Sequence, residues 1–197
     1  MSRTANQRRP EELRKAIVEY LIKHGLADLS LRPLAKAIGS SPRVLLYYFG
    51  SKEKMVVEVL ADLRRRQLAV YGQVEAASFR EACQIIWNRI SARGSEPLFR
   101  LFFEVYGIAL RRPQLYKTFL RDTIEDWLGL IADPLCREGY RRQEARAFAT
   151  IVLAGMRGFM LDLCTTQDRE RLNRAVGSWL GTLDLLLSDV VGRRSDR

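Results

Sequence analysis

The sequence predicts an all-α protein: an N-terminal three-helix domain built on a helix-turn-helix, joined by a fourth helix to a C-terminal helical domain. Three observations carry that expectation. Every long segment repeats its apolar residues at helical period, and no run alternates apolar and polar residues between hairpin turns. Two short helical segments meet across the three-residue break Gly39-Ser40-Ser41. Beyond about residue 75 the pattern lengthens into longer amphipathic segments, so the domains are expected at 8–66 and 67–197.

Each element has its own signals. Pro10 suits the first turn of helix one, Leu13, Ile17, Tyr20 and Leu21 form its apolar stripe, and Gly25 supplies the left-handed residue that ends it. Ser30 is placed to cap helix two, with Pro33 in the first turn, where its missing amide has no intrahelical partner to lose. Pro42 opens helix three, which ends near Phe49-Gly50. Ser51 caps helix four, whose apolar face of Met55, Val56, Val59, Leu60 and Leu63 runs toward Arg64-Arg65-Arg66. Gly72 marks its expected end. Later helices are expected at approximately 78–93, 97–111, 114–136, 142–164 and 168–191, punctuated by Gly94-Ser95, Arg112-Pro113, Gly139 and Thr165-Thr166.

Charge is unevenly divided. Residues 1–66 carry 14 Lys and Arg against 7 Asp and Glu, and residues 67–197 carry 19 against 16, so most of the net +10 sits in the first third. A basic N-terminal unit fits a polyanion partner, a solvated basic face or an anionic membrane surface. Met1 to Arg9 is polar and basic with no apolar stretch behind it, and the most apolar run, Ala149 to Met156, is far shorter than the roughly 20 residues of a membrane span. A soluble cytoplasmic protein is therefore expected, with no membrane partner. Cys83, Cys136 and Cys164 lack metal or disulfide spacing and read as free thiols. No metal or cofactor is expected.

The pairs Leu34-Ala35, Ile38-Gly39 and Tyr48-Phe49, followed by Gly50-Ser51-Lys52-Glu53, resemble the DNA-binding domain of the tetracycline-repressor (TetR) family over about residues 11–60. The resemblance implies a cytoplasmic transcriptional regulator, a homodimer on double-stranded palindromic operator DNA, usually a repressor modulated by a small-molecule effector. Four positions depart from the commonest pattern: Pro42 stands where a lysine is frequent, Arg43 for a small residue, Val44 for threonine and Leu46 for tyrosine. The DNA-binding residues expected on this basis are Arg32, Ser41, Pro42, Arg43, Leu46, Tyr47, Tyr48 and Lys52. Arg43, in the first turn of the recognition helix, reads guanine through a bidentate contact or holds a phosphate. Tyr47 matches a backbone-contacting position or packs within the helix pair. Tyr48 and Phe49 are expected as core anchors, with the Tyr48 hydroxyl in reach of a phosphate, and Val44 or Leu45 fills the wedge between the two helices. Lys52 joins the amides of helix four in gripping phosphate. Arg32 and Ser41 are backbone contacts, with capping of the recognition helix the alternative for Ser41. Arg3, Arg8 and Arg9 form a minor-groove arm or a basic tail.

In the last two helices, Phe148, Val152, Met156, Phe159, Met160 and Leu163 make one stripe and Leu172, Val176, Trp179, Leu183, Leu186, Leu187 and Val190 another. They suit a four-helix dimer interface or an internal core, and Gly155 and Gly158 permit close approach. The candidate ligand-binding residues are Trp87, Phe102, Phe103, Tyr106, Trp127, Met156 and Phe159, with Tyr116 and Phe119 adding to the aromatic density and Arg89, Glu104 and Asp126 as polar anchors or plain surface. Two other readings compete: a helical enzyme and an interaction protein at a membrane surface. The lone His24 lies at the end of helix one, where a helix-dipole contact accounts for it and no histidine triad can be built.

Overall fold

The computed structural model describes residues 10–195, with side chains as far as Leu187. Arg3, Arg8, Arg9 and the side chain of Val190 lie outside the described residues. Within them the chain is helical throughout, as α1 (Pro10–His24), α2 (Leu31–Ala37), α3 (Pro42–Phe49), α4 (Lys52–Gly72), α5 (Phe79–Ile90), α6 (Glu96–Arg111), α7 (Pro113–Arg137), α8 (Arg142–Thr166) and α9 (Arg169–Ser195). The expected elements are all present, with ends displaced by a few residues. α5 stops at Ile90, short of the expected 93, because Ser91 closes the last turn onto Trp87 O and the Ser95 hydroxyl donates to Ala92 O at 2.7 Å. Ser30 stands at the N-cap of α2 in extended conformation, but its side chain makes no cap bond.

The chain divides into two compact units. One contains the chain up to Leu68 together with Arg100–Asp126; the other contains Ala69–Phe99 and Trp127 onward. α4, α6 and α7 are each continuous helices with residues in both.

In the first unit, Leu13, Ile17 and Leu21 of α1 pack with Leu34 and Ala35 of α2, Leu45 and Phe49 of α3, and Met55, Val56 and Val59 of α4. Leu101, Val105 and Ala109 of α6 and Tyr116 of α7 complete this same core. Two polar ties reinforce it. The Leu26 amide, left over where α1 ends, donates to Glu104 Oε2 at 2.5 Å. Gly25 precedes it at φ +74°, and a Cβ there would lie 2.8 Å from Glu104 Oε1, so the glycine serves both the left-handed turn and the approach of the carboxylate. Arg64 on α4 pairs with Asp126 at 3.1 Å, donates to Thr123 Oγ1 at 3.2 Å and lies over the Phe119 ring. Glu104 and Asp126 are thus internal ties of this unit. His24 stacks on Tyr20 with ring centroids 4.3 Å apart.

The second unit has its own core. Trp87 is fully buried, donates its indole N–H to Asn173 Oδ1 at 2.7 Å and meets Phe159 edge to face. Phe159 in turn meets Trp179, whose ring lies so close to Gly155 that a Cβ there would be 2.4 Å from Cζ2. Phe148, Val152, Met156, Met160 and Leu163 of α8 and Leu172, Val176 and Leu183 of α9 are buried within the single chain. Most of the two stripes expected at a dimer interface therefore form an internal core. α8, 25 residues long, contains an 18-residue stretch of mean hydropathy 1.5 that is apolar enough, by length and composition alone, to cross a membrane, and about a third of that stretch is buried within the chain.

Candidate nucleic-acid interface

The interface is built on α2, the turn and α3. The turn closes through Ser40 N to Ala35 O at 2.8 Å, with Gly39 at φ +65°. Leu34, Ala35 and Ile38 from α2 and Leu45 and Phe49 from α3 fill the wedge between the helices. Leu45, and not Val44, is the wedge residue. Ser41 is the N-cap of α3: its Oγ accepts from Val44 N at 3.3 Å, and Pro42 follows at the position where no amide bond is lost. Capping is thus observed for Ser41. Gly50, at φ +75°, ends α3 with its amide on Leu46 O, and Ser51 then accepts from Lys54 N at 3.1 Å to start α4.

Burying Leu45 and Phe49 four residues apart turns the rest of this helix outward. Arg43, Val44, Leu46, Tyr47 and Tyr48 are all exposed, Tyr47 by 83%. Tyr48, expected as a core anchor, is 40% exposed and packs edge to face on Tyr47 at 5.4 Å, so Phe49 is the lone anchor of the aromatic pair. Lys52, in the first turn of α4, donates from Nζ to Leu29 O at 3.2 Å, which stations its ammonium beside the start of α2. Arg32 is exposed on α2. The eight expected DNA-binding residues therefore cluster on α2, α3 and the first turn of α4. The supporting ties through Glu104 and Arg64 escaped sequence reading, since the partners are 78 and 62 residues apart and no local spacing announces them.

The candidate ligand-binding residues fall in both units. Phe102, Phe103 and Tyr106 belong to the first, where Phe102 contacts both of the others. Trp87, Trp127, Met156 and Phe159 belong to the second. There Trp87 and Phe159 meet, while Trp127 packs on Tyr71 at 5.5 Å. Desolvation raises the Tyr71 phenol above its ordinary range, and nearby Arg89 draws it partly back. Tyr116 is buried in the first unit's core. All three cysteines are free, and burial, aided by the Asp184 carboxylate, pushes the Cys83 thiol up to about 12.

A capped helix presenting one guanidinium and two tyrosines outward, set across a tight glycine turn from a supporting helix, defines a helix-turn-helix DNA-binding regulator. Residues 13–59 match the family described as bacterial regulatory proteins, tetR family. Across most of its length the chain is similar to the HTH-type transcriptional regulator BetI of Rhizobium meliloti, with 26% identity over 179 residues, covering 86% of this chain and 75% of the relative. Its fold is that of a transcriptional regulator from Rhodococcus (TM-score 0.75, 22% identity, 89% of this chain and 96% of the other). It is also that of Salmonella enterica GusR (TM-score 0.70, 17% identity, 90% and 97% covered). The helix-turn-helix segment is thus similar to that of the bacterial regulatory proteins of the tetR family, and the chain shares its fold with solved transcriptional regulators.

Proposed function

We propose that the protein is a cytoplasmic, non-enzymatic repressor that binds a palindromic operator as a homodimer and is controlled by a small molecule held by the helices beyond the helix-turn-helix. The observation that carries the DNA-binding reading is the outward face of α3, flanked by Lys52 on α4 and Arg32 on α2. In this reading Arg43 and Leu46 enter the major groove with the cap Ser41 and Pro42 at the leading end of the helix, and Tyr47, Tyr48, Lys52 and Arg32 contact the phosphates. Neutralising phosphates releases counterions, so log affinity falls against log salt with a slope of about −0.9 per contact.

The effector is proposed to bind aromatic side chains of the helices beyond the helix-turn-helix, either at Phe102, Phe103 and Tyr106 of the first unit or at Trp87, Trp127, Met156 and Phe159 of the second. Its lever on DNA binding is covalent continuity, since α4, α6 and α7 each contribute residues to both units. A ligand that favours one arrangement of these helices by about 1–3 kcal/mol changes DNA affinity about 5- to 150-fold, and DNA changes ligand affinity by the same factor.

The dimer is proposed to form through the outer face of α8. Ala147, Ile151, Ala154, Gly158 and Leu161 are exposed there, spaced alternately by four and three residues, which is the seam of a packed helix pair. Enrichment of duplexes from a random library by the purified full-length chain tests the DNA reading, and sedimentation tests the dimer. The wild type is expected to sediment as a dimer and Ile151→Arg as a folded monomer with weakened operator binding. A wild-type monomer, free and on its enriched duplex, overturns the dimer.

A further inference from the structure

The recognition helix exposes a mixed set of side chains. On eight residues it offers one guanidinium, two phenols and two branched apolar side chains, Val44 at 40% and Leu46 at 43% exposure, while Pro42 has no amide to offer. At 3.6 residues per turn, with Leu45 and Phe49 facing the core, Arg43 and Tyr47 point directly away and Val44 and Leu46 stand on the two flanks between. Any object that receives Arg43 therefore meets an apolar wall on either side of it.

The major groove offers one group that such walls can recognise. Guanine, adenine and cytosine present hydrogen-bond donors and acceptors there, and only thymine adds a methyl group. Valine and leucine make no hydrogen bonds, so against the polar edges of the other bases they desolvate groups without repaying them. Against a thymine methyl they gain burial on both sides of the contact. We propose that Val44 and Leu46 are specificity-determining residues that read the C5-methyl groups of thymines flanking the base contacted by Arg43. The assignment rests on the DNA-binding reading of α3 and adds to it the chemistry of the half-site: a thymine-rich element around a position read by a guanidinium.

Deoxyuridine is the direct probe, because it removes the methyl and leaves the hydrogen-bonding edge intact. Duplexes enriched from a random library by the full-length protein are rebuilt with deoxyuridine at each thymine in turn, and affinities are compared at fixed salt. Each read methyl is expected to be worth about fourfold in affinity, the equivalent of burying one methylene, and about fifteenfold when the symmetric position in both half-sites is changed. Val44→Ala and Leu46→Ala change exposed side chains, and circular dichroism checks that they fold. Each is expected to weaken binding to the thymine duplex while leaving affinity for the deoxyuridine duplex nearly unchanged, because the contact is already gone. Equal affinity for thymine and deoxyuridine duplexes, or the same loss by the alanine variants on both, overturns the proposal while the regulator stands. If no duplex is enriched at all, the DNA-binding reading falls and the methyl-reading proposal falls with it.

Discussion

Gly155 and Gly158 are neighbours on one helix and look interchangeable in sequence, yet the same added methyl group should separate them. A Cβ at Gly155 would lie 2.4 Å from Trp179 Cζ2 and 2.9 Å from Cε2 and Cη2, whereas one at Gly158 meets nothing within 4 Å. The obstructing atoms belong to a rigid ring already packed on Phe159 at 5.4 Å, so the indole or the helix has to move. Replacing glycine by alanine inside a helix gains about 0.8–1.0 kcal/mol of propensity at either site, so that gain cancels between the two variants. The remaining difference is the overpacking at Gly155, about 1–3 kcal/mol. At about 2–4 °C per kcal/mol for a chain of this size, a mid-range penalty places Gly155→Ala roughly 4–8 °C below Gly158→Ala in Tm. Thermal denaturation should be followed at several protein concentrations, because the methyl at Gly158 also enters the proposed dimer seam and any effect there depends on concentration. Trp179→Phe removes the obstructing atoms and should shrink the penalty in the Gly155→Ala background. Equal or higher stability of Gly155→Ala at every concentration would refute the packing argument.

Three further outcomes are expected. Arg43→Ala should relax preference at one half-site position at a cost of about 1–3 kcal/mol, whereas Lys52→Ala should weaken all duplexes alike and reduce the salt slope by about 1; the same pattern for both variants in salt-dependent titrations defeats the assignment. Glu104→Ala strands the Leu26 amide, at a cost of about 1–3 kcal/mol, so hydrogen exchange in the peptide around Leu26 should accelerate about tenfold or more, and unchanged exchange counts against the tie. With its pKa at about 12, only about one Cys83 thiol in ten thousand is ionised at pH 8, so thiol-reactive reagents should modify Cys83 only after denaturation; rapid labelling of the native protein contradicts its burial.

The features legible in the sequence were those set by short-range rules. Gly25 does occupy the left-handed conformation, Gly39 does make the turn, Ser41 and Ser51 do cap, and Pro42 does open its helix, because each depends on a few adjacent residues. Helical periodicity likewise located the later helices to within a few residues. Two kinds of information were hidden. Which of two adjacent apolar residues turns inward depends on helix phase to within one residue, so Val44 against Leu45, and Tyr48 against Phe49, needed the fold. The membership of α6 in the first unit's core depends on pairs such as Leu26 and Glu104, brought together across 78 residues by packing alone. The apolar stripe of α6 shows that it is covered, and says nothing of what covers it.

α8 brings the same ambiguity to the protein's surface. A helix apolar on one side needs one partner; a helix apolar all round needs covering on every side. Val152, Met156, Met160 and Leu163 are covered within the chain, and on the opposite side Ala147, Ile151, Ala154, Gly158 and Leu161 remain in the open. Lipid would cover such a face whatever its spacing, since acyl chains conform to any apolar surface. A second helix requires more: small residues where the backbones approach and a repeat that keeps returning to one line. The exposed face has both, with Ala154 and Gly158 at its centre and an alternating four-three interval throughout. The hydropathy that passes the length-and-composition test for a membrane span thus has two protein-made causes in the proposed dimer: one half of the helix belongs to its own chain's core, and the other half is shaped for its symmetry mate.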